Sequence, residues 1–501
     1  TFVLAGLFAL TVTRLVALVV LEGSRLNSLA RTEHTAETEL AAVRGPIVDR
    51  YGEPLALSAE TRSVYARPKQ LLEGTTRADR VRLAAALGMK PAQLEEHLEK
   101  PAPFVWLRRR IDPAQAAGVE ALGLEGVGAL SEYKRFYPES SLAGAAVGSA
   151  GMDGQGLSGV ELEYDRLIRG EPVELSFYHD ALGHPILDSP LALKSPEPGA
   201  QIELTIDARI QSLAESGLAD EVRASGAQRG TAIVLDPFSG EVLALANVNA
   251  QPDAIHDRLH DAAVQDAFEP GSTMKGLLAS IALTDHAISP TEKIYCENGV
   301  FHIDRRTIHD DSRHQWLDLG GIIEVSSNIG AAKVALKLGS QRFYDGLKAF
   351  GIGRRTGIDL PGEASGLLRS ASSWREIDLA NHGFGQGIAV TPIQLASAYA
   401  AIANGGMLVR PYVVKSAHDA EGRVILTHTP QVIDRAISPA VAHQMNLILR
   451  NVVNGADGTA HRAQVDGFVV AGKTGTAQMV NPVTHGYFQN RHVSSFVGFL
   501  P

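Results

Sequence analysis

At 501 residues the chain is too long for one ordinary core, and two or three domains are expected. Hydrophobic residues at 45%, charged residues at 20% and 49 glycines describe a folded protein and exclude a disordered one. A net charge of −10 with no long basic run excludes a dedicated nucleic-acid binder, and the single cysteine, Cys296, excludes an internal disulfide or a multi-cysteine metal centre.

The first 21 residues, Thr1 to Leu21, are almost wholly apolar, about the length a helix needs to cross a bilayer. No basic stretch precedes the segment and no small-residue cleavage site follows it, so it reads as an anchor and not as a cleaved signal. Arg14 interrupts it and either snorkels to the headgroups or meets a helix of another membrane protein. Glu22 to Leu40 is polar with Leu26, Leu29 and Ala30 at helical spacing, which extends the membrane helix as a stalk. Arg44 to Gly52 reads as a strand ending in a turn, followed by short strands at Leu55–Leu57 and Ser63–Ala66. Two short amphipathic helices are predicted at Arg77–Leu87 and Pro91–Leu98. No nucleophile is paired with a base between residues 41 and 198, which reads as an α+β module for positioning and contacts.

Pro196-Glu197-Pro198-Gly199 marks a boundary. Beyond it, Ile202–Ile206 alternates as a strand, and Asp207 caps a helix running to about Ala224. Gly230–Leu235 and Glu241–Ala246 read as two strands joined by the turn Asp236–Gly240. Pro270 and Gly271 then break the chain before a buried helix, which places Ser272 at a helix start and Lys275 one turn later on the same face. Glu324–Gly330 leads into a helix over Ala331–Leu338. Thr391-Pro392 opens a helix over Ile393–Ala403, closed by Asn404-Gly405-Gly406. A strand from Phe468 enters Lys473–Gln478, and Ser494–Leu500 is the last strand.

Three short motifs occur in order: Ser272-x-x-Lys275, Ser326-x-Asn328 and Lys473-Thr474-Gly475. Each alone is as compatible with an ordinary helix start or strand end. Ordered sets of this kind characterise penicillin-binding proteins and serine β-lactamases. The residue types suit acyl transfer. Ser272 is the nucleophile and Lys275, as a free amine, its base. Ser326 relays a proton to the departing amine, and Asn328 orients Lys275 and substrate. Lys473 lowers the pKa of Lys275 and attracts a carboxylate, aided by the hydroxyls of Thr474 and Thr476. Gly475 lets a substrate backbone approach the strand, and the N–H groups of Ser272 and Thr476 form the oxyanion hole. His302, His309 and His314 with Asp304, Asp310 and Asp311 match no metal motif and read as a polar surface loop. No metal or organic cofactor is expected.

Over long stretches the chain resembles a class B penicillin-binding protein of the division type, the FtsI family. The resemblance lies in RGPIVDRYGEPLALS (44–58), GQGLSGVELEYD (154–165), DAFEPGSTMK (266–275), SSNIGAAKVALKLG (326–339), GQGIAVTPIQLASAYAAIANGG (385–406) and AGKTGTAQ (471–478). It implies a multidomain protein. A single transmembrane helix (1–21) leads to an elongated α+β pedestal (22–198). An α/β, serine β-lactamase-like transpeptidase domain (199–501) then follows, with a central antiparallel sheet flanked by helices. The family completes this sheet with another strand and a helix, so 199–501 is expected to be a portion of the domain.

The function implied is D,D-transpeptidation, the crosslinking of D-Ala-D-Ala stem peptides of nascent peptidoglycan in septal cell-wall synthesis, with β-lactams acylating the same serine. The implied setting is the cytoplasmic membrane, crossed once, with the catalytic domain in the periplasm or outside the cell. An FtsW-type glycosyltransferase and other division proteins would be contacted through the membrane helix and pedestal. The alternatives are an elongation-type transpeptidase and a membrane-anchored scaffold with a degenerate penicillin-binding domain. A β-lactamase is disfavoured, because no Glu-x-x-Leu-Asn follows Ser326 to activate water.

Overall fold

A computed structural model describes residues 6, 8–14, 35–40, 42–99, 102, 104–179, 185–186, 196–253, 256–480 and 486–500. Most of the apolar segment 1–21 lies outside these. Residues 8–14 are helical, and no helix among the described residues is long and apolar enough to cross a membrane. The chain divides into two compact units. The smaller is Thr1–Gly45, Ser58–Lys134 and Arg169–Gly199, and the larger is Pro46–Leu57, Arg135–Ile168 and Ala200–Pro501. This partition differs from a single cut at residue 198, because Ile47 and Val48 pair in parallel with Ile202 and Glu203 of the larger unit. Val147, Val160 and Ile168 join the same apolar cluster as Leu204 and Val414.

In the smaller unit, Thr35–Leu40 is not the end of a helical stalk but a strand, because it pairs antiparallel with Val173–His179. Strands Pro54–Ala66 and Val105–Ile111 are antiparallel neighbours there, from Arg62 opposite Ile111 to Ala66 opposite Val105. The two short strands expected at 55–57 and 63–66 are thus one 13-residue strand. Helices Pro68–Gly74, Arg77–Ala86 and Pro91–Leu98 bury Leu71, Leu83 and Leu94 with Val64 and Val105. Thr76 and Asp79 form a capping box at the start of the second helix, satisfying N–H groups that have no partner within it.

The larger unit is built around the helix Met274–Thr284, whose residues Met274 to Leu283 are all buried. A helix apolar on every side is stable only when other elements surround it. Here those are the helices Asn328–Leu338, Ser340–Ala349, Pro392–Ala403 and Pro439–Asn454, which share its apolar core. Asp207 caps the helix Ala208–Ser225 as expected, accepting from the N–H groups of Arg209 and Ile210. Thr391 and Gln394 form a reciprocal capping box at the start of Pro392–Ala403.

A single central antiparallel sheet is expected. The described residues of this domain include two antiparallel pairs, Arg229–Leu235 with Val242–Asn249 and Ala471–Val480 with Tyr487–Phe499. No backbone ladder joins them among the described residues, and the helix Pro392–Ala403 packs against both. The last strand begins at Tyr487, well before Ser494, because its pairing with the preceding strand runs in register from Ala471↔Phe499 to Gln478↔His492 and, past an irregularity, reaches Val480↔Tyr487.

One buried bond sets where the central helix begins. The Tyr399 phenol donates to the Thr273 carbonyl at 2.7 Å. Opposite it stands Gly276, where any Cβ would collide with the Tyr399 hydroxyl. Tyr399→Phe removes this second bond to the N-cap carbonyl and is expected to lower stability by about 1 kcal/mol. Urea unfolding measures the change, and an unaltered midpoint would show that the bond contributes nothing.

Candidate active site

Ser272 lies in a single 3₁₀ turn, Gly271–Thr273, that runs directly into the Met274–Thr284 helix. Thr273 Oγ1 donates to the Pro270 carbonyl at 2.6 Å, and the Gly271 N–H to the Gly385 carbonyl at 3.2 Å. Gly271 and Gly385 have φ of +53° and +83°, and a Cβ on Gly385 would strike the Gly271 backbone. Both positions therefore require glycine. The result is a serine held on a rigid turn while remaining partly accessible.

Lys275, one turn on, is completely buried. Its Nζ donates to the Ser326 carbonyl at 2.5 Å and to Asn328 Oδ1 at 2.7 Å, and lies 3.2 Å from Ser326 Oγ. The structure therefore brings the first two motifs into direct contact. Burial drives the Lys275 pKa well below the ordinary lysine value. The charge of Lys473 pushes the same way, while Asp310 and Asp311 oppose it. Lys473 is also buried, donating to the carbonyl and Oγ1 of Thr474 at 3.2 and 3.4 Å, and burial brings its pKa down to about 8.

The strand carrying Lys473 lies against the nucleophile turn. A Cβ on Gly475 would come within 2.8 Å of the Pro270 carbonyl oxygen and 2.9 Å of Thr273 Cγ2. Gly475 thus has a neighbour inside the protein that requires it, beside any approach by a substrate. Thr474 Oγ1 lies 3.4 Å from Thr459 Oγ1, and Thr476 is exposed.

Ser326 adopts φ +60°, an uncommon conformation for a residue with a Cβ, and this turns its carbonyl toward Lys275. The helix cap is Ser327, which accepts from the Gly330 N–H at 2.9 Å, so the helix starts at Asn328, three residues before the expected Ala331.

Asp310, read from sequence as part of a surface loop, instead anchors this motif. Its Oδ1 accepts from the N–H groups of Asn328 and Ile329 at 2.5 and 3.0 Å, and its Oδ2 from Ser327 Oγ at 2.6 Å. The His309 carbonyl accepts from Asn328 Nδ2 at 2.9 Å, leaving Oδ1 of that amide for Lys275. A carboxylate at a helix N-terminus is favoured by the unpaired N–H groups there. Only the acidic side chain itself signals this role in the sequence, since 17 residues separate it from Ser327. His302 bonds Thr307 across a short hairpin, and no group among the described residues could hold a metal ion.

The chain is similar to known proteins over most of its length. A family model described as the penicillin binding protein transpeptidase domain matches residues 230–501, and one for the penicillin-binding protein dimerisation domain matches 39–204. The chain is 35% identical to the probable peptidoglycan D,D-transpeptidase PenA of Neisseria meningitidis, over 95% of this chain and 79% of that protein. It is 31% identical to the peptidoglycan D,D-transpeptidase FtsI of Escherichia coli, over 92% and 77%. Among solved structures, a peptidoglycan synthetase from Bifidobacterium adolescentis superposes with TM-score 0.73 at 28% identity, covering 93% of this chain and 90% of that one. Penicillin binding protein 3 of Mycobacterium tuberculosis in complex with aztreonam gives 0.70 at 29%, covering 92% and 88%. With both domains matched and relatives above 30% identity along nearly its whole length, this chain belongs to the class B penicillin-binding proteins.

Proposed function

We propose that the chain is a peptidoglycan D,D-transpeptidase that works through a Ser272 acyl-enzyme. The observation that carries the reading is a lysine amine with no solvent exposure, one helical turn from the serine and hydrogen-bonded to Ser326 and Asn328. Its depressed pKa makes a neutral amine available to accept a proton, and a neutral Lys275 keeps a lone pair for the Ser272 hydroxyl.

The reaction follows from these groups. Lys275 removes the Ser272 proton as Oγ attacks the carbonyl between the two D-alanines. The N–H groups of Ser272 and Thr476 hold the oxyanion, and Ser326 passes a proton to the departing D-alanine nitrogen. An amine of a second stem peptide then attacks the acyl-enzyme, releases Ser272 and completes the crosslink. Lys473, Thr474 and Thr476 hold the terminal carboxylate, with the glycine at 475 keeping their strand against the nucleophile turn. Asp310 positions Asn328 and touches no reacting atom. A β-lactam presents the same acyl group and acylates the same serine.

The Ser326–Lys333 run and the FtsI relative support a division role at the septum. The apolar stretch 1–21 supports a single-pass anchor in the cytoplasmic membrane with the catalytic domain beyond it. An FtsW-type glycosyltransferase is the partner proposed for the membrane segment and the dimerisation domain.

Fluorescent penicillin is expected to label the wild type covalently and Ser272→Ala not at all. An unlabelled wild type would leave the scaffold reading standing. The pH profile of acylation is expected to be bell-shaped. Its acid limb arises as Lys275 becomes protonated, and its alkaline limb, near pH 8, as Lys473 loses its charge. Lys473→Arg, which stays charged, should remove the alkaline limb, and its persistence would assign that limb to another group. Asp310→Ala should slow acylation by at least about tenfold, the worth of one hydrogen bond to a charged acceptor. Asp310→Asn keeps an acceptor for the two N–H groups and should recover most of the rate. Stopped-flow acylation measures both.

A further inference from the structure

Glu269, three residues before the nucleophile, is a half-buried carboxylate to which the acyl-transfer steps give no task. Its Oε1 accepts two hydrogen bonds, from the Gly387 N–H at 2.8 Å and from the Tyr487 hydroxyl at 3.0 Å. Its Oε2 is buried without a hydrogen-bond partner among the described residues.

The two donors come from different parts of the domain. Gly387 belongs to the turn that already holds the nucleophile segment by backbone bonds. Phe268 exchanges two such bonds with Val390, both at 2.9 Å, and the Gly271 N–H bonds the Gly385 carbonyl. Tyr487 is the first residue of the strand paired with the one that carries Lys473, Thr474 and Thr476. Glu269 is thus the point where the nucleophile turn, the 385–387 turn and the Val480–Tyr487 end of the strand pair that carries Lys473 meet. A single oxygen makes both bonds, so losing the side chain disconnects two segments together. Burial raises the carboxyl pKa, a cost accepted at a position where a neutral residue would fill the same space.

We infer that Glu269 is a positioning residue that, through Tyr487, ties the Lys473 hairpin to the nucleophile turn and fixes the spacing of the two sides of the acylation site. The inference rests on the acyl-transfer reading of Ser272. It assigns the carboxylate a role as hydrogen-bond acceptor and no role in proton transfer.

Two measurements on the full chain test it. In the first, acylation by fluorescent penicillin is followed for wild type, Glu269→Gln, Glu269→Ala, Tyr487→Phe and the Glu269→Ala/Tyr487→Phe pair, with thermal melts confirming folding. Glu269→Ala and Tyr487→Phe should each reduce the second-order acylation constant by about tenfold. The pair should be no slower than Glu269→Ala alone, because both changes break one connection. Glu269→Gln, whose amide oxygen accepts the same two bonds, should stay within about threefold of wild type. Tyr487→Phe lies at an exposed position, so this arm holds even if Glu269→Ala fails to fold. A wild-type constant for Tyr487→Phe, or losses that multiply in the pair, overturns the inference.

In the second, amide hydrogen exchange is compared at Gly387 and at the start of the Tyr487–Phe499 strand. Protection should fall in Glu269→Ala and return in Glu269→Gln, and unchanged protection overturns the inference. A wild type that takes no label overturns the acyl-transfer reading instead, an outcome distinct from both.

Discussion

The site depends on one unfavourable act, the burial of the Lys275 amine away from water. An ammonium group is strongly hydrated, and removing that hydration favours the neutral form. The fold commits its most deeply buried helix to this end. Met274–Thr284 is enclosed on every side, so the lysine on its first turn has no route to solvent. Lys473 adds a second buried cation on the adjacent strand, and repulsion between the two acts in the same direction as burial. The hydrogen bonds to Ser326 and Asn328 fix where the amine sits.

Holding a buried amine beside a serine demands a close approach of several backbones, and the glycines record where it occurs. Gly276 admits the Tyr399 phenol, Gly385 admits the nucleophile turn, and Gly475 lets the Lys473 strand lie against Pro270 and Thr273. Ser326 bears the corresponding cost in conformation, with a positive φ at a residue that has a Cβ. Such a residue persists only when its surroundings over-determine it. Here Asp310 supplies three hydrogen bonds within the next three residues and Lys275 takes the Ser326 carbonyl. The motif residues are thus held by neighbours as much as by their own elements.

Much of this was legible in the sequence. The apolar run after Lys275, the Asp207 cap and the Thr391-Pro392 start all correspond to helices, because each signal is local and physical. The ordered motifs placed Lys275 with Ser326 and Asn328 before any distance was known. What stayed hidden was set by tertiary contact. Asp310 looked like one acid in a loop of histidines, and only the fold brings it to the start of the Asn328–Leu338 helix. Glu269 carried no signal beyond its place beside Pro270, since Gly387 and Tyr487 lie 118 and 218 residues away. The pairing of Ile47 with Ile202 stayed hidden for the same reason.

The account depends on a Lys275 pKa well below that of an ordinary lysine, which makes the neutral amine available as a base. Its Nζ can be observed directly by ¹⁵N NMR of lysine-labelled protein, with Lys275→Arg identifying the resonance. The account predicts a titration midpoint well below that of an ordinary lysine, rising toward the usual range when Lys473→Ala removes the neighbouring charge. A midpoint at or above the ordinary value, with Lys275 still protonated at neutral pH, would contradict it.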